Sequence, residues 1–160
     1  MLEYVRAATL RHTPIYTKRE FAMKWLLCGS EYIDDGMSFG FVYMIENTIT
    51  GRKYIGRKYF TQAGTKQVNG KRKKIRKPSD WQTYYGSNET LKEDVSILGE
   101  DKFVRTILHL CKTKSECSYL ETKEIFARDA LISPHYYNDW VQCKIRRAHL
   151  TNLQISDITK

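Results

Sequence analysis

Two short apolar runs, Phe41–Ile45 and Tyr54–Gly56, flank Asn47, Thr48, Thr50 and Gly51, the residue types that turns prefer. This pattern predicts a β-hairpin from Gly40 to Lys58 with one tyrosine on each strand, Tyr43 and Tyr54. Whatever else the chain builds has to pack around that hairpin.

Upstream, Thr17-Lys-Arg-Glu20 has the form of a capping box and predicts a helix carrying Phe21, Trp25 and Cys28 on one face and stopping at Gly29. Asp34-Asp-Gly36 marks a turn into the hairpin. Downstream, Asn69-Gly70 sits between Lys66-Gln-Val68 and Lys71–Lys77, the pattern of an exposed β-ribbon or a mobile loop. Ser87 or Asn88 caps a helix with Leu91, Val95 and Leu98 on one face, ended by Gly99. Phe103–Leu108 is a third strand, and Ser115 opens a helix to about Asp129. On that last helix Cys117, Glu121 and Ile125 share a stripe, which puts Glu121 at the edge of the buried face, with Glu124 its close rival. After Pro134, Tyr136-Tyr-Asn-Asp-Trp140 reads as extended or turn. The predicted fold is α/β: a small three-stranded, mainly antiparallel sheet flanked by helices. Residues 1–38 form a helical extension packed on a core domain of residues 39–145, with a basic insertion at 61–80 and a tail at 146–160.

The chain has 160 residues, 41% of them hydrophobic, enough for one core. No apolar run approaches the roughly 20 residues of a membrane span, and charged residues interrupt the amino terminus before a signal-like core forms. A cytoplasmic protein with no membrane partner is expected, in the host cell's cytoplasm if a phage encodes it. Cys28, Cys111, Cys117 and Cys143 lack disulfide-framework density, and with His109 they match no usual zinc spacing, so buried thiols are expected. The net charge of +9 is concentrated: Arg52–Lys77 contains eleven Lys or Arg and no acid, while the remainder holds sixteen basic and eighteen acidic residues. A block of one sign next to Trp81, Tyr84 and Tyr85 has the composition of a nucleic-acid surface, since phosphates attract cations and bases stack on flat rings. Lys66, Lys71, Arg72, Lys73, Lys74, Arg76, Lys77 and Trp81 are the expected DNA contacts.

Two tyrosines on adjacent strands, one carboxylate at a helix edge and a cluster of cations lack the nucleophile of acyl transfer and the several carboxylates of a two-metal nuclease. They suit phosphodiester hydrolysis with a single metal, where a cation neutralises the phosphate and a phenol positions or deprotonates water.

These residues resemble the GIY-YIG endonucleases, and most nearly the Seg-like homing endonucleases of phages. Tyr43 and Tyr54 stand 11 residues apart, the family's usual spacing, and Tyr54-Ile55-Gly56 spells the second half of the motif. The first half departs from it, with Phe41-Val42-Tyr43 in place of Gly-Ile-Tyr. The resemblance extends through Gly51–Lys58, Asp80-Trp-Gln-Thr-Tyr-Tyr-Gly-Ser87 and Leu91–Cys111, covering about Phe39 to Ile145. It implies that Tyr43 and Tyr54 line the catalytic surface, that Glu121 is the ligand of a Mg²⁺ or Mn²⁺ ion, and that Asn138 braces the site. The family's catalytic arginine has its usual place near Gly64, inside the basic stretch. Arg57, Lys58, Arg72 and Arg76 are candidates to replace it, with Arg57 and Lys58 favoured because the hairpin fixes their distance from Tyr54.

The function so implied is a metal-dependent DNA endonuclease of phage or mobile-element type. The alternatives are an inactive DNA-binding module with the nuclease fold, and an interaction protein that captures a partner through Trp81, Tyr84 and Tyr85.

Overall fold

The computed structural model describes residues 23–151 and 153. The proposed capping box at Thr17–Glu20 lies outside them, as does most of the tail.

The hairpin forms as its sequence requires. Strand β3 (Gly40–Asn47) pairs antiparallel with β4 (Lys53–Tyr59), placing Tyr43 opposite Gly56 and Ile45 opposite Tyr54. The buried Asn47 side chain builds the turn, accepting from the backbone N–H groups of Ile49 and Thr50. On its other side β3 pairs antiparallel with β7 (Phe103–Cys111), with a register shift between Val42 and Tyr43 that leaves Leu108 unpartnered.

The sheet is larger than the three strands expected. Trp25–Leu27 forms β1, running parallel to β7, and Ser30–Glu31 forms β2 beside it, giving the order β2-β1-β7-β3-β4. The predicted helix therefore does not extend through Trp25 and Cys28. A short apolar run such as Trp25-Leu-Leu27 fits a buried strand as well as a helix face. Here the open edge of β7 and the aromatic core decide. Trp25 is 3% exposed and meets Phe41 and Tyr43 edge-on, with centroids 4.9 and 5.1 Å away. Cys28 and Gly29 have φ of 51° and 79°, so they form the two-residue turn that joins β1 to β2.

Each face of the sheet carries its own core. On one, Trp25, Phe41, Tyr43, Phe60 and Tyr85 pack with Leu91 of helix α1 (Glu89–Leu98). On the other, Val42, Ile55 and Cys111 meet Cys117, Leu120 and Ile125 of helix α2 (Lys114–Ala127). Cys111 and Cys117 are buried as expected, whereas Cys28, in the β1–β2 turn, and Cys143 are exposed. Asn88 caps α1, accepting from the Leu91 N–H at 3.0 Å, and α2 starts one residue earlier than predicted because Thr113 and Glu116 close a capping box.

The basic stretch leaves the sheet as a ribbon. Strands β5 (Thr61–Val68) and β6 (Lys71–Pro78) pair over eight residues, and Asn69 and Gly70 turn at φ of 49° and 74°. Every β6 residue is exposed.

One buried cation ties these parts together. Arg105, 1% exposed on β7, donates to the carbonyls of Gln82 (2.8 Å), Tyr84 (3.2 Å) and Met23, and lies between the Trp25 and Tyr85 rings. Burial lowers its pKa, but the guanidinium stays charged at any physiological pH. Replacing it by methionine keeps volume and orphans those carbonyls. Arg105→Met is expected to lower stability by about 3 kcal/mol, read as a lower urea midpoint with an unchanged slope.

Candidate active site at the open edge of strand β4

Strand β4 is the last in the sheet, so its outward-facing backbone groups have no strand to pair with. The chain satisfies them in three different ways. Lys53 exchanges backbone hydrogen bonds with His135 and Tyr137, both 2.8 Å. Ile55 is paired by a side chain: its N–H donates to Asn138 Oδ1 at 2.9 Å and its carbonyl accepts from Asn138 Nδ2 at 2.8 Å. At Arg57 the backbone N–H and the guanidinium both turn to the Glu121 carboxylate on α2. A single amide thus imitates a strand, and a carboxylate takes over where it ends.

The segment that delivers Asn138 is anchored at Tyr137. Its hydroxyl donates to Asp94 (2.7 Å) and accepts from Asn47 Nδ2 (3.0 Å), its carbonyl accepts from Asn88 (2.8 Å), and Arg52 covers its ring at 3.9 Å.

From the other face of the sheet come the two tyrosines, with ring centroids 6.1 Å apart. Tyr43 is 1% exposed, and its phenol passes over Gly56. A Cβ at position 56 would lie 2.5 Å from the Tyr43 hydroxyl oxygen and 2.7 Å from Cζ. The glycine of Tyr-Ile-Gly is thus the space through which Tyr43 reaches the edge. Burial pushes the Tyr43 phenol well above 10, and the neighbouring Tyr54, Tyr84 and Glu121 add to the rise. Burial also raises Tyr54, whose hydroxyl shares a 3.0 Å hydrogen bond with Ser87. Both phenols are neutral at physiological pH.

These groups converge on an open cavity of about 290 Å³, lined among others by Tyr43, Tyr54, Arg57, Ser87, Glu121 and Asn138. Burial raises the Glu121 pKa, and the Arg57 guanidinium opposes that rise. Of the four cations considered, Arg57 is the one at this cavity. Lys58, its neighbour on β4, points through the opposite face, where Nζ pairs with Asp80 at 2.6 Å and lies 3.6 Å above the Tyr84 ring. The strand's period of two separates them. Arg72 lies on the exposed ribbon, and Arg76 is fastened at its base, donating to Thr61 Oγ1 (2.7 Å) and its carbonyl (3.1 Å). Glu124, the rival carboxylate, is turned away to His109 (2.6 Å) and Arg128.

The ribbon displays Lys66, Lys71, Arg72, Lys73, Lys74 and Lys77 to solvent. Trp81 is not among them. Half-buried, its ring packs against the aromatic core beside Phe60 (5.1 Å), Phe41 (6.1 Å) and Tyr32 (6.2 Å). Ser87, Asp139 and Trp140 also line the cavity; the sequence marks Ser87 only as a candidate helix cap and Asp139 and Trp140 only as part of an extended or turn segment. Their nearness in sequence to Tyr84-Tyr85 and Asn138 was the available signal.

The comparisons with known proteins agree with this architecture. The family model described as "Putative endonuclease segE, GIY-YIG domain" matches residues 25–141, well over half of the chain. The chain belongs to the GIY-YIG family. It is 32% identical over 100 residues to the "Putative endonuclease segE" of Enterobacteria phage T4, a match covering 62% of this chain and 40% of that relative. The chain thus spans less than half the length of that relative. No solved structure matches it. The match begins at Trp25, the first residue of β1, and so spans the β1–β2 hairpin as well.

The Asn138 contact and the Gly56 clearance each give a measurable expectation. Asn138→Asp keeps an acceptor for the Ile55 N–H but sets a carboxylate against the Ile55 carbonyl. A loss of about 2 kcal/mol or more is expected in urea denaturation. Gly56→Ala forces Tyr43 aside and is expected to cost about 1–3 kcal/mol. In a double-mutant cycle with Tyr43→Ala that penalty shrinks, with a coupling of about 1 kcal/mol or more.

Proposed function

We propose that this GIY-YIG chain is a metal-dependent DNA endonuclease hydrolysing phosphodiester bonds at the β4 edge. The observation that carries the reading is convergence: Tyr43, Tyr54, Arg57, Glu121 and Asn138, drawn from two strands, a helix and a loop, line one cavity. Packing alone does not require a half-buried carboxylate, a guanidinium and two phenols to share an opening.

The donor set fits a hard divalent ion that keeps much of its water. Among the described residues no group of three or more His, Cys, Asp or Glu is gathered to cage a metal. Mg²⁺ is commonly bound by one or two carboxylates together with substrate phosphate oxygens. Glu121 is the residue to hold Mg²⁺ or Mn²⁺, which supplies Lewis-acid polarisation of the phosphate.

The chain's own groups divide the remaining work. Arg57 faces the phosphate and offsets the charge that accumulates on it in the transition state. Tyr54, its hydroxyl hydrogen-bonded to Ser87, orients an attacking water through its phenolic oxygen. A neutral phenol with a raised pKa is a poor base, so its part is positioning rather than proton abstraction. Tyr43 fixes Tyr54 from the buried side. Asn138 holds the Ile55 backbone and with it the distance from Tyr54 to Arg57. The ribbon lysines supply the salt-sensitive attraction to DNA.

Supercoiled plasmid with Mg²⁺ tests the assignment. Nicking or linearisation is expected from the wild type and not from Glu121→Ala. Arg57→Ala should lose about a hundredfold or more in rate, while Lys58→Ala stays within a few-fold. Tight binding without cutting, across several divalent metals and DNA forms, would instead assign an inactive DNA-binding module. Because burial raises Glu121, its carboxylate protonates earlier than an exposed one as pH falls. The acid limb of kcat/KM should therefore lie above the ordinary glutamate value of 4.5. On the ribbon, Lys71, Lys73 and Lys74 changed together to Ala should flatten the salt dependence of binding by about 0.9 in log-log slope for each phosphate that is no longer neutralised.

A further inference from the structure

Trp140 lies on the cavity rim with its side chain in solvent, 67% exposed, whereas Trp25 is buried and Trp81 belongs to the aromatic core. An indole left two-thirds exposed gains little for the fold from its large apolar surface, which makes it informative. Nor is it carried on a loose tail. Two residues before it Asn138 is pinned to both backbone groups of Ile55, and Tyr137 is held by Asp94, Asn47 and Asn88.

The charges around the cavity say what kind of group belongs beside that ring. Among the described residues lining it, Arg57 is the one Lys or Arg and is paired with Glu121, while Glu89 and Asp139 are two further, exposed carboxylates. A phosphate is drawn to Arg57 and repelled from the Asp139–Trp140 side. An uncharged planar ring meets no such penalty there. At about 290 Å³ the cavity is near the lower size of small-molecule sites, so it admits a nucleotide-sized group and not only a phosphate.

We propose that Trp140 is a stacking platform for one unpaired nucleobase adjacent to the phosphate at Arg57, so that the site takes DNA with a bulged or otherwise unstacked nucleotide in preference to continuous duplex. The inference rests on the reading of this cavity as a DNA phosphate site. Extruding a paired base from a duplex is costly, and a base already out of the stack avoids that cost. Base–aromatic stacking then sets the size of the preference at about 5- to 150-fold.

The test compares a short continuous duplex with the same duplex bearing one bulged fluorescent adenine analogue. The full chain is used with EDTA present, so that nothing is cut. Wild type is expected to bind the bulged duplex about 5- to 150-fold tighter and to quench the analogue by stacking. Trp140→Ala should bind the continuous duplex as wild type does, which reports an intact fold, and lose both the preference and the quench. Trp140→Phe should retain most of each. A wild type that binds both duplexes equally would overturn the proposal, as would Trp140→Ala keeping preference and quench. A protein that binds neither duplex would overturn the DNA reading of the site and this inference with it.

Discussion

An edge strand has to satisfy backbone groups that no neighbouring strand reaches, and the organisation of this site follows from how β4 does so. Its outward-facing residues Lys53, Ile55 and Arg57 are met in turn by backbone, by the Asn138 amide and by the Glu121 carboxylate. Pairing a buried backbone donor and acceptor is obligatory, because leaving them unmade costs more than a typical hydrogen bond contributes. The same hydrogen bonds therefore close the fold and fix Asn138, Glu121 and Arg57 relative to one another. A full additional strand at this edge would fill the cavity. One amide and one carboxylate leave it open.

The second determinant is the aromatic face. Tyr43 and Tyr54 belong to a core of stacked and edge-on rings, and that packing makes their hydroxyls precise. Tyr43 reaches the edge because Gly56 has no side chain in its path. The burial that positions these phenols also keeps them protonated, so geometry and protonation state have one cause. Arg105 supports this face from beneath by holding the carbonyls of the segment that supplies Tyr84.

Much of this was legible in the chain because the signals were local. Alternation and turn residues specify the Gly40–Lys58 hairpin, Asn-Gly specifies the ribbon's turn, and Asn88 and Gly99 bound α1. What failed did so for identifiable reasons. Trp25-Leu-Leu27 is too short for its periodicity to separate strand from helix, and its state was decided by a strand some eighty residues away. Trp81 borders the basic stretch in sequence, yet its ring turns into the core. Arg57 and Lys58 look equivalent in composition, and only the pleat sends one to Glu121 and the other to Asp80.

By itself the sequence determined the hairpin, the spacing of its tyrosines, the segregation of positive charge into one ribbon and the family to which the chain belongs. Each is written in residues near one another or in a motif of fixed spacing. The tertiary structure alone decided which cation and which carboxylate meet, why glycine stands opposite Tyr43, and that an exposed indole borders the cavity. Those are relations between residues far apart in the chain. They are set by which strand is left at the edge of the sheet and by what the fold brings to it.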